Sequence, residues 1–119
     1  MKTILVIENE GIIRLNVLNI LERNGFNVIG AEDGQIGVEL AREFLFDLIL
    51  CNITMPRRNG NEVLEELRNY PITATIPFIF ITAQAIPAEV TLAQQGAADY
   101  YISKPFTPNE LLQAIAKFI

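Results

Sequence analysis

Leu48-Ile49-Leu50-Cys51-Asn52-Ile53-Thr54-Met55-Pro56 contains an apolar run of four residues that stops on an asparagine. An earlier run, Ile4-Leu5-Val6-Ile7, stops in a similar way on Glu8 and Asn9. Neither run alternates apolar with polar residues. Each therefore reads as a strand buried on both faces, the pattern of a parallel sheet covered by helices. Outward from these two, read as strands over 3–7 and 48–51, short β-branched runs recur at residues 27–31, 78–81 and 100–102, which makes them the first and third of five strands.

Helical patterns fill the intervals. Residues 10–24 carry Ile13, Val17, Ile20 and Leu21 at helical spacing, and Asn24-Gly25 stops them. Residues 34–44 follow Asp33, a good N-cap. Residues 61–69 put Val63, Leu64 and Leu67 on one face ahead of Pro71. Residues 87–95 form a shorter pattern rich in Ala and Gln. The last helix begins with Thr107-Pro108-Asn109-Glu110, a capping box with proline at the first helical position. Leu111, Leu112, Ile115, Phe118 and Ile119 are expected to form its buried face.

Five strands alternating with five helices build βα units, hence an α/β fold with helices on both faces of a parallel sheet. Right-handed crossovers leave few arrangements, and the flavodoxin-like doubly wound order 2-1-3-4-5 is expected. The 119 residues make one domain, 1–119, large enough for one core.

Composition removes several function classes. Half of the residues are apolar, which excludes a disordered tail. No apolar run approaches the roughly 20 residues that span a bilayer. The start, Met1-Lys2-Thr3-Ile4, enters a strand at once with no small-residue cleavage site after it, so no signal peptide and no membrane association are expected. A net charge of −5 argues against nucleic acid as a direct ligand. The lone Cys51, inside an apolar run, reads as a small core residue. With no histidine in the chain, a His-based triad, metal site or phosphocarrier is excluded. A cytoplasmic domain is the expectation.

In such a sheet the ligand site lies beyond the carboxyl ends of the strands, where the order reverses between the first and third. Strand 1 delivers Glu8 and Asn9, strand 3 Asn52, strand 4 Thr82 and Ala83, and strand 5 Ser103 and Lys104 before Pro105. Read singly, these residues are ordinary. Asn is common at turns, Thr82 suits a strand, Tyr101 could be core, and Arg57-Arg58 reads as a solvated loop pair. Glu8 is the exception, because a carboxylate directly after four apolar strand residues is costly without a partner.

Taken together and in order, Glu8-Asn9, the loop NITMPRRNG at 52–60, Thr82-Ala83 and Tyr101-Ile102-Ser103-Lys104-Pro105-Phe106 resemble the response-regulator receiver domains of the CheY-like family. The resemblance runs from Ile4 to Ile119. It implies a two-component phosphorelay module that accepts a phosphoryl group from a histidine kinase or phosphotransfer protein and signals to an output domain or protein. It also implies Mg²⁺ held by Glu8, Asn9, Asn52 and the Thr54 backbone carbonyl, with oxygen-only ligands suited to a hard cation. Asn52 would stand at the phosphoacceptor position, Lys104 would pair with the phosphoryl group, and Thr82 and Tyr101 would be the switch residues. A homodimer through the strand 4–helix 4–strand 5 face is a further expectation.

Two residues depart from that pattern. The family's acceptor is an aspartate, and the neutral amide of Asn52 cannot be the carboxylate nucleophile of an acyl phosphate. Asn9 removes a second carboxylate and leaves Glu8 as the one formal negative charge among the three positions. The expectation is a receiver that does not accept phosphate, binds Mg²⁺ weakly or not at all, and is no conventional enzyme. Asp and Asn are nearly isosteric, so the change keeps shape while deleting charge, as in an inactivated receiver or a natural pseudo-receiver. That second case implies a phosphorylation-independent interaction module using residues 84–89 and 100–103. A flavin or nucleotide module on the same sheet would need a Gly- or Ser/Thr-rich phosphate loop after strand 1. Glu8-Asn9-Glu10-Gly11 is instead acidic.

Overall fold

A computed structural model describes residues 1–83 and 98–119. Its elements in chain order are β1 (Thr3–Ile7), α1 (Gly11–Arg23), β2 (Asn27–Ala31), α2 (Gly34–Glu43), β3 (Leu48–Asn52), α3 (Gly60–Arg68), β4 (Phe78–Thr82), β5 (Tyr100–Ser103) and α4 (Pro108–Ala116). All strand pairs are parallel and the sheet order is β2-β1-β3-β4-β5, as expected from the alternation. Four helices are present among the described residues. The helix expected at 87–95 lies outside them.

Side chains of a strand point alternately to opposite faces, and here each face receives its own core. Leu5, Ile7, Ile49, Cys51, Phe78 and Phe80 go to one side, where Val38 and Ala41 of α2 and Val63, Leu64 and Leu67 of α3 cover them. Ile4, Val6, Leu48, Leu50, Ile79 and Ile81 go to the other, under Val17, Ile20 and Leu21 of α1 and Leu111 and Ile115 of α4. Strands β3 and β4 are buried along their whole lengths, which explains their unbroken apolar sequence.

Local chemistry sets the helix ends. Asp33 Oδ1 accepts from the Ile36 N–H and starts α2. Asn59 and Glu62 form a reciprocal capping box for α3, as Thr107 and Glu110 do for α4. The α3 box starts that helix at Gly60 rather than at Asn61. Helix α4 ends at Ala116, shorter than expected: Leu111 and Ile115 are buried with Ala114, whereas Leu112, Phe118 and Ile119 are only half-buried. Those three still pack against the margin of that core, with the Phe118 ring 6.3 Å from that of Tyr100 of β5. No helix among the described residues is long and apolar enough to cross a membrane.

Candidate functional site

The carboxyl ends of β1, β3, β4 and β5 bring Glu8, Asn52, Thr82 and Lys104 to one rim. Glu8 is only 1 % exposed, so its charge must be compensated inside the protein. It is: Oε1 accepts from Lys104 Nζ at 2.7 Å, and Oε2 accepts from the Glu10 N–H at 3.1 Å. Lys104 itself is held by a backbone bond from its N–H to the Thr82 carbonyl at 2.6 Å, next to a cis Lys104–Pro105 peptide.

Asn52 fills the centre. Its Nδ2 donates to Glu8 Oε2 at 3.2 Å, to Asn9 Oδ1 at 3.0 Å and to the Thr54 carbonyl at 3.1 Å. An amide nitrogen carries two hydrogens, so these three contacts share them. Rotating the amide by half a turn would aim its oxygen at two acceptors with no hydrogen to give, the Glu8 carboxylate and the Thr54 carbonyl. The network therefore fixes the orientation. Thus the structure brings together Glu8, Asn9, Asn52, the Thr54 carbonyl and Lys104. Thr82 ends β4 beside Ser103 of β5 and is buried. The ring of Tyr101 packs 5.5 Å from that of Phe80, which belongs to the core.

Sequence reasoning missed three participants. Arg14 on α1 reaches back, its Nη1 donating to the Glu8 carbonyl at 2.7 Å. Arg57 and Arg58 reach solvent, with side chains 68 % and 32 % exposed, but each also makes an ion pair. Arg57, in the left-handed region at φ 68°, bonds Asp33 Oδ2 at 2.6 Å, and Arg58 pairs with Glu66, which Arg42 also holds at 3.0 Å. These ion pairs tie the loop after β3 to α2 and α3. Nothing in the local sequence signals them, because each partner lies on another element.

Gly60 allows the loop to close. A Cβ there would stand 2.5 Å from the Asn52 carbonyl and 2.7 Å from the Phe80 ring. Because the Gly60 N–H also bonds the Ile53 carbonyl at 2.7 Å, the backbone cannot retreat without losing that bond. Gly60→Ala is expected to lower stability by about 1–3 kcal/mol, read as a lower urea midpoint at unchanged slope.

Cys51, fully buried behind the site, has its thiol pKa pushed well up, first by burial and then by the Glu8 charge. Tyr101 is raised by burial. For both, the unfolded chain loses its proton before the folded one does as pH rises. Stability from the thiol is therefore intact below about pH 8.5 and declines above it, with Tyr101 adding to the slope from about pH 10. Urea midpoints between neutral and alkaline pH should fall less steeply in Cys51→Ala.

Residues 4–116 match the response regulator receiver domain family, and the chain belongs to that family. It is 35 % identical over 116 residues to the probable transcriptional regulator ycf29 of Pyropia yezoensis, covering 98 % of this chain and 52 % of the relative. The chain thus spans about half the length of that relative. Among solved structures, the chemotaxis protein CheY4 of Vibrio cholerae superposes with a TM-score of 0.94 at 25 % identity, covering 100 % of this chain and 99 % of the other. The response regulator TrrA of Thermotoga maritima, in complex with Mg²⁺ and BeF, gives 0.89 at 30 % identity with 100 % of both chains covered.

Mg²⁺ belongs to that family's chemistry, but the donor set of this chain does not fit it. The three oxygens that the resemblance assigns to the ion around position 52 all accept from one amide nitrogen. The single carboxylate among them is already paired with Lys104. Mg²⁺ requires close octahedral oxygen ligation and gives up its water reluctantly, so a neutralised carboxylate and two neutral oxygens offer it little.

Proposed function

We propose that this chain is a two-component receiver domain whose phosphoryl-accepting site is disabled, and that it works as a signalling module without being an enzyme. The observation that carries this reading is the Asn52 amide nitrogen, which lies 3.0–3.2 Å from all three neighbouring oxygens. An acceptor must attack phosphorus with a carboxylate oxygen, whereas Asn52 is a neutral amide whose nitrogen is turned to those three oxygens and whose oxygen cannot form an acyl phosphate. Lys104, the phosphate partner implied by the family, is spent on Glu8. The expected partners are a histidine kinase or phosphotransfer protein and an output domain or protein in the cytoplasm, with no direct nucleic-acid contact.

The test is intact-mass measurement after incubation with Mg²⁺ and acetyl phosphate. No phosphoryl adduct is expected. An adduct localised to residue 52 overturns the reading.

The same network favours a phosphorylation-independent interaction module. It holds the rim in shape with the protein's own groups, so no metal or phosphoryl group is needed to order it. A groove of about 620 Å³ between β5 and α4, lined by Tyr100, Tyr101, Ser103, Pro105, Gln113 and Lys117, is available to a partner or a second copy. Residues 84–89, the rest of the expected face, lie outside the described residues. Partner capture unchanged by phosphodonor would support this reading, and capture that requires phosphodonor would refute it.

A further inference from the structure

The chain contains two Asn-Gly pairs, Asn24-Gly25 and Asn59-Gly60. Glycine offers no side chain to shield its backbone nitrogen, so that nitrogen can attack the preceding amide. The Gly nitrogen bonds to Asn Cγ, ammonia leaves, and a five-membered succinimide forms. Water then opens either carbonyl of that ring to give aspartate or isoaspartate. The net change is asparagine plus water to a carboxylate plus ammonia, and no other reagent is required. What decides the rate in a folded protein is whether the local structure lets the nitrogen reach the side chain.

The two pairs differ sharply in this respect. Asn59 is locked by its reciprocal capping box, its Oδ1 accepting from Glu62 N–H at 2.9 Å and its own N–H donating to Glu62 Oε1 at 3.0 Å. The Gly60 N–H is bound to the Ile53 carbonyl at 2.7 Å, and a Cβ on this buried glycine would meet Asn52, Phe80 and Ile53 within 3 Å. Asn24 and Gly25 are both exposed at the carboxyl end of α1. The Gly25 N–H makes only a 3.2 Å bond to the Glu22 carbonyl, and a Cβ placed on Gly25 would meet nothing within 4 Å. Helix ends open locally at little cost, so this turn samples the geometry that Gly60 is denied.

We infer that Asn24 is an intrinsic deamidation site of this protein and that its conversion loosens the α1–β2 turn. Asn24 Nδ2 donates to the Ile20 carbonyl at 2.7 Å, satisfying a group at the helix end that would otherwise lack a partner. Deamidation removes that donor and sets a carboxylate against the carbonyl, at the helix end where negative charge is disfavoured. The isoaspartate product also adds a methylene to the backbone. That displaces the chain just before the Phe26 N–H to Leu21 carbonyl and Asn27 N–H to Lys2 carbonyl bonds that lead into edge strand β2. The proposal concerns the far end of the sheet from Asn52 and stands whether or not the acceptor reading holds.

The experiment is peptide mapping with isoaspartate detection on the whole chain, incubated at mildly alkaline pH both folded and in urea. In the folded chain, conversion is expected at Asn24, as a mixture of both products, and not at Asn59. In urea, both sites are expected to convert at comparable rates, which shows that Asn59 is protected by structure rather than by sequence. Equal or faster loss of Asn59 in the folded chain overturns the inference, as does an Asn24 that converts only in urea. Asn24→Asp reproduces the charge change without the backbone insertion and is expected to lower the thermal midpoint by about 3 °C or more. An unchanged midpoint overturns the structural consequence.

Discussion

Converting both amides to acids, Asn9→Asp with Asn52→Asp, is expected to give a chain that binds Mg²⁺ and takes a phosphoryl group at position 52 from acetyl phosphate. The frame for that gain is already built. Thr54 presents its carbonyl, Glu8 its carboxylate, and the Arg57–Asp33 and Arg58–Glu66 pairs hold the loop. What the native chain lacks is charge. At about 4 Å and an effective dielectric near 20, each restored carboxylate adds on the order of 8 kcal/mol of gross attraction to a divalent ion, twice the unit-charge value. Dehydration offsets part of it, but two such terms outweigh a binding site that now holds one neutralised acid.

The same exchange should cost stability when no metal is present. The Asn52 amide now donates to three oxygens. A carboxylate there turns those contacts into oxygen facing oxygen, next to Glu8 and the acid introduced at position 9. We expect the metal-free double variant to unfold at a lower denaturant midpoint, by about 1–3 kcal/mol. Saturating Mg²⁺ should recover about 2–3 kcal/mol in the variant, as ligand linkage requires at roughly a hundredfold excess over the dissociation constant, and should leave the native chain unmoved. A metal-free variant at least as stable as the native chain would sink the argument that the amides stabilise the rim. Under the proposed function, the Asn pair reads as a stability–function exchange, with phosphoryl chemistry set against a network that closes on itself.

How much of this could be read in advance depends on the range over which the signal acts. Strands β3 and β4 announced themselves because burial on both faces favours one residue class, and a short run rich in β-branched and aromatic residues such as Phe78-Ile79-Phe80-Ile81 suits a buried strand better than a buried helix. Asp33 and the Thr107–Glu110 box were legible because capping is local chemistry. The Asn59–Glu62 box obeys the same spacing rule and was equally available in the sequence. The strand ends gave the rim residues, since the fold alone decides which termini converge. The wiring between them was not legible. Whether Lys104 would pair with Glu8 or face solvent depends on residues far apart in sequence. Arg57 finds Asp33 by adopting a left-handed backbone that arginine rarely takes, which no propensity would suggest. Arg14 reaches the Glu8 carbonyl only because α1 begins where it does.

Removing the cation from the Glu8 pair should have the largest effect on folding of any change at the rim. Lys104→Met keeps most of the stem and its packing but takes away the ammonium. Glu8, 1 % exposed, then has Oε1 with no partner and a charge with no neighbouring cation on its carboxylate. Breaking a buried pair from one side typically costs about 3–5 kcal/mol, far more than the pair is worth against an apolar substitute. Here the lower end, about 3 kcal/mol, is expected, since Oε2 keeps its bonds from Glu10 and Asn52. Glu8→Gln alone should cost less, because a neutral amide can stay buried with hydrogen bonds, although it leaves the Lys104 ammonium facing no anion. The double variant, Glu8→Gln with Lys104→Met, should recover much of the loss, because it leaves no buried charge. Urea midpoints of the four proteins form a complete cycle, and a strongly favourable coupling between positions 8 and 104 is expected. Additive single effects would mean that the two side chains stabilise the rim separately. In that case Lys104 would stay free to meet a phosphoryl group, and the closed network at Asn52 would be the only lock on this site.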